Sequence, residues 1–66
     1  MADSIIRSIS REVFRAFMRG EFKCKAFGKE FSLEHVNGKE YRVTMQDADI
    51  GLRFMAENGK LHFFMA

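Results

Sequence analysis

Residues 16–27 read AFMRGEFKCKAF, and the spacing of the apolar residues changes at Gly20. Before it, apolar residues recur with the 3.6-residue period of a helix; after it, Phe22, Cys24 and Ala26 alternate with Lys23 and Lys25, the period of a strand. Upstream, IIRSISREVFRAFMRG (residues 5–20) places Ile5, Ile6, Ile9, Val13, Ala16 and Phe17 within an arc of about 120° at 100° per residue. Arg7, Arg11, Arg15 and Arg19 fall within an opposite arc of similar width. Asp3 or Ser4 supplies a cap and Gly20 a left-handed stop, so an amphipathic helix is predicted over about residues 4–19.

Downstream, the alternation runs through EFKCKAF, EFSLEHV, EYRVTM, DIGLRFMA and LHFF, with turn signals at Gly28-Lys29, Asn37-Gly38, Gln46–Asp49 and Asn58-Gly59. Strands are predicted at about 22–27, 30–36, 39–45, 50–57 and 60–65. Asp47 also suits the start of a short helix, but alternation from Ala48 to Ala56, broken at Met55, favours a strand there. Opposed residues must share a face, which tests the hairpin registers. A Gly28-Lys29 loop sets Cys24 against Leu33. A three-residue Val36–Gly38 loop with a bulge sets Leu33 against Tyr41 and Phe31 against Val43. A two-residue Asn58-Gly59 loop sets Phe54 against Phe63 and Leu52 against Met65. The fold class is α+β: one N-terminal amphipathic helix and a five-stranded antiparallel meander, as a curled sheet or small open barrel. One helix covers part of such a sheet, so the sheet must curl, dimerise or leave a face wet.

At 66 residues the chain is a single domain that buries roughly 60% of its unfolded surface. Cys24 is the one cysteine, so no internal disulfide forms and a reducing, cytoplasmic setting is expected. No signal peptide is visible, and the longest apolar run is Phe63–Ala66. A 47% hydrophobic content with eight phenylalanines excludes intrinsic disorder and fits equally self-association or a greasy partner site and a tightly packed small core. Met55, His62 and Phe64, on the outward side of the last two strands, are the candidate self-association residues of a homodimer or higher oligomer. The net charge of +2 is uneven, because the basic excess lies between Arg7 and Lys29 and the rest of the chain is mildly acidic.

The pattern holds little that suits catalysis or a cofactor. Cys24 and His35 share an apolar face, where His35 is expected packed or half-buried and the thiol stays protonated. Neither Cys-x-x-Cys nor His-x-x-x-His spacing occurs, so no metal is expected. Asp47 and Asp49 lie where a turn is required. A non-enzymatic protein that binds by occupancy is the expectation, its site formed by Arg7, Arg11, Phe14, Arg15, Met18, Arg19, Lys23 and Lys25. All four cations of the helix are arginines, which suit bidentate contact with carboxylate or phosphate, and Phe14 and Met18 border their arc. The expected partner is an acidic, partly apolar surface of another protein. The alternative is nucleic acid, with arginines on phosphates. A membrane is not expected, because the apolar arc is needed against the sheet.

A helix followed by five short strands is also the element order of the Sm-like RNA-binding barrels, and HVNGKEYRV (residues 35–43) is similar to their first turn. That resemblance covers about a third of the chain. It departs from the family in an extra early hairpin and in lacking a mid-strand glycine for a sharp bend. It implies some weight for RNA and for oligomers.

Overall fold

A computed structural model describes residues 2–66, with side chains from Ser4 onward. Helix α1 (Ala2–Met18) precedes β1 (Lys23–Ala26), β2 (Lys29–Asn37), β3 (Glu40–Met45), β4 (Ala48–Glu57) and β5 (Lys60–Met65). The strands form one antiparallel sheet in chain order, curled into a half-barrel. The helix ends as its sequence demands. Gly20 adopts φ 76°, its N–H donates to the Phe17 carbonyl at 3.0 Å, and the Glu21 N–H reaches back to Ala16 at 2.9 Å. These bonds satisfy carbonyls that the last turn leaves open. Ser4 lies inside the helix rather than capping it, and the proposed Asp3 cap falls outside the described side chains.

Ile9 and Val13 pack with Phe31, Leu33, Val43, Leu52 and Phe54 as the buried core, and Ala16 is also fully covered. Ile5, expected in the apolar arc, is instead half exposed, because it lies near the open mouth of the half-barrel. An aromatic row crosses the inner face. His35 is opposite Tyr41, Tyr41 opposite Phe54, and Phe54 opposite Phe63. Successive ring centroids are 5.1, 5.1 and 5.4 Å apart, and Phe17 of α1 meets Tyr41 and Phe54 edge-on. His35 is exposed rather than packed; its Nε2 lies 2.8 Å from the Gly38 carbonyl at the rim.

The β4–β5 register is the expected one, around an Asn58-Gly59 turn with both residues at positive φ. Two other registers differ by two residues while keeping the same faces. Cys24 opposes Phe31, not Leu33, because the first turn is Phe27-Gly28 and sets Lys25 against Glu30. Leu33 opposes Val43, not Tyr41, with an irregularity between His35 and Asn37. This register brings Glu34 to Arg42 at 2.9 Å, whereas the expected one would have opposed Glu34 to Glu40. The two Asn-Gly sites differ, but not through the expected three-residue Val36–Gly38 loop: Asn37 pairs with Glu40 around a two-residue Gly38-Lys39 turn, and the irregularity lies before it in β2.

In β4, Val43 faces Leu52 while Thr44 faces Asp49, leaving Ile50 and Gly51 as extra residues. Gly51 takes φ 82° there, so the chain does hold a mid-strand glycine at a bend. The Asp49 carboxylate accepts from the Gly51 N–H at 2.8 Å and from both terminal nitrogens of Arg53 at 2.8 and 2.9 Å. These bonds to Arg53 and Gly51 hold its carboxyl at about 2. Arg53 thus lies mostly covered on the outer face, and Thr44 is buried.

Candidate interaction face on the helix and first hairpin

The four arginines of the N-terminal segment are all exposed, as are Phe14 and Met18 beside them. Helical spacing produces this, because the buried stripe of Ile9, Val13 and Ala16 turns the opposite side to solvent. The charge is only partly compensated. Arg15 pairs with Glu12 at 3.1 Å and Arg19 with Glu21 at 3.3 Å, both exposed and so screened by water. Arg11 has no ion-pair partner among the described residues.

α1 runs beside β1, and a shallow polar cleft of about 370 Å³ separates them. Its walls include Ser8, Arg11, Glu12, Lys25 and Phe27. Arg11 and Lys25, distant in sequence, therefore share one site. Lys23, on the same side of β1, lines a second polar hollow with Lys29, Glu30 and Asp47. Of the two lysines expected to extend the arginine track, Lys25 shares the cleft with Arg11 and Lys23 lines the other hollow. Met55, His62 and Phe64 are also exposed but occupy the β4–β5 side of the sheet, with Met55 opposite His62 and Phe64 opposite Arg53.

Phe27 is the residue that periodicity did not mark as part of this face. It stands at φ 55° in the first turn with 63% of its surface exposed, and it lines both the polar cleft and an apolar groove. That groove, about 390 Å³, lies between the start of α1 and the sheet and is walled by Ile5, Ile6, Ile9, Phe31, Met45 and Ile50, with Lys29 at its border. The available signal was the Phe-Gly pair, since the Gly is a turn former while the Phe before it is not.

Cys24 is half-buried against the core; burial, and then the Glu12 carboxylate, push its thiol pKa up and keep it protonated. His35 lies along β2 beyond the residues that β1 pairs, so the two are not a nucleophile–base pair. Among the described residues no three of His, Cys, Asp or Glu gather as a metal site, and no described helix is long and apolar enough to cross a membrane. No protein-family model, curated protein or solved structure matches the chain.

Proposed function

We propose that this protein is a small non-enzymatic cytoplasmic regulator that binds an acidic, partly apolar segment of another protein and acts by occupancy. Arg11, Arg15 and Lys25 take its carboxylates, Phe14 and Met18 flank them, and Arg7 and Arg19 extend the field at either end. Phe27 and the adjoining groove take an apolar side chain. The observation that carries this reading is Phe27 itself. A large apolar residue is held exposed in a left-handed conformation that L side chains enter at a cost of about 1–2 kcal/mol, at a turn position where Asn would fit. The left-handed φ itself belongs to the two-residue turn, since Gln46 and Asn58 take it at the same place in the later hairpins; what sets Phe27 apart is a large apolar ring left exposed there.

Nucleic acid is the second reading, favoured by the arginine spacing and by the Sm-like element order. The apolar groove beside the cations weighs toward protein, because phosphate contacts need no such groove. The two separate in one titration. Short mixed DNA and RNA are followed by fluorescence anisotropy at low and at physiological salt. The protein reading expects no tight binding at either. Strong low-salt binding that falls steeply with salt, and that vanishes in Arg11→Glu/Arg15→Glu, would replace it with the nucleic-acid reading.

A further inference from the structure

We infer that β5 is a homodimerisation edge, pairing antiparallel with β5 of a second copy about a two-fold axis at Phe63. This surface is independent of the helix face and does not rest on the function proposed for it. The backbone fixes which groups are free. The Ala66 N–H donates to the Gly51 carbonyl at 2.8 Å, and Ala66 and Gly51 continue the Leu52–Met65 register. Hydrogen-bonding direction alternates along an antiparallel strand, so His62 and Phe64 also face β4 with their main-chain groups. Leu61, Phe63 and Met65 then present their N–H and C=O groups at the outer edge.

Only one symmetric register pairs all three. With Phe63 opposite its own counterpart, Leu61 lies opposite Met65 of the other copy, and every one of these edge groups has a partner. A slip of two residues either way carries one residue of each copy past the bounds of β5, one way toward the turn onto Gly59. The same register continues the aromatic row. The sequence of rings from His35 through Tyr41 and Phe54 ends at Phe63, half-covered beside the open edge. Pairing at Phe63 joins the two rows end to end. On the outer face it sets His62 opposite Phe64 of the second copy, using the exposed residues of that side.

Charge selects this edge over the other. A self-paired β1, centred on Cys24, would oppose Lys23 to Lys25 of the second copy, the usual defence of an edge strand. Along β5 no like charges are opposed in the Phe63-centred register, since Lys60 meets Ala66. A standard interface takes about 800 Å² from each partner, about one sixth of the 4613 Å² surface here. The strand edge needs the side chains of Leu61, Phe63 and Met65 to approach that area, which makes the dimer concentration-dependent.

Sedimentation of the full chain across a micromolar range tests the dimer, and cysteine trapping in a Cys24→Ser background tests its register. Positions 62 and 64 would be directly opposite and not hydrogen-bonded to each other, a separation suited to a disulfide. The expected result is a monomer–dimer equilibrium, with covalent dimer from His62→Cys/Phe64→Cys and little from either single substitution. Met65→Pro, which removes an outward N–H and leaves the bonds to β4, should abolish the dimer while the circular dichroism stays native. A monomer at every concentration overturns the proposal. Efficient trapping by His62→Cys alone or Phe64→Cys alone shows a slipped register and overturns the Phe63 axis. Higher ladders point to head-to-tail addition of β5 on β1 and overturn the closed dimer.

Discussion

Phe27 and Asp49 do opposite things with their backbones. Phe27 holds a left-handed turn that its side chain disfavours. Replacing it with Asn should stabilise the fold by about 1 kcal/mol, read as a raised melting temperature, and weaken partner binding if the exposed ring is a contact. Asp49 instead resolves its local geometry, tying the Gly51 bend to Arg53. Its folded pKa, about 2, lies below the ordinary 3.8, so its stabilisation is present above about pH 4 and is lost as pH falls toward 2. Asp49→Asn should remove that acid limb from a series of melting temperatures and lower the neutral value. An unchanged acid limb would show that other carboxylates carry it. Neither role was legible from alternation alone. A Phe at positive φ contradicts its own propensity, and the carboxylate bonds of Asp49 depend on two extra residues that interrupt the β4 register.

At the scale of elements, alternation decides which face a residue takes but leaves registers two residues apart indistinguishable, since both preserve the faces. Helix α1, all five strands and the β4–β5 pairing were legible for that reason. The β1–β2 and β2–β3 registers are shifted by two from the one alternation suggests, and for β2–β3 the sequence holds the discriminating signal: Glu34 needs Arg42 opposite it and not Glu40. His35 was misplaced because sharing a face with Leu33 says nothing of how far the helix extends over it. The covered part of the face centres on Phe54, which touches Phe17, Tyr41 and Phe63. Phe54→Ala should cost about 3–5 kcal/mol. A domain of this size holds about 3–10 kcal/mol in total, so chemical denaturation should find this variant marginal or unfolded.

Seen whole, the molecule separates two surfaces. The basic helix and the first turn lie at one border of the sheet, and the β5 edge, where Leu61, Phe63 and Met65 present their free main chain, lies at the other. A dimer through β5 would therefore leave both helix faces available and present two binding sites, raising the avidity for a repeated partner. The candidate site was legible in its arginines, because helical spacing alone exposes them. Its apolar half was not, since Phe27 and Ile5 meet only through the tertiary fold. The most direct measurement is quantitative recovery of proteins by the tagged chain from nuclease-treated extracts of its own cells, beside Arg11→Glu/Arg15→Glu and Phe27→Asn, with circular dichroism of each. The expected result is a protein retained by the parent chain, lost at least tenfold with the double charge reversal and weakened with Phe27→Asn, while all three keep their helix signal. Equal recovery by the parent and the folded double variant would contradict it.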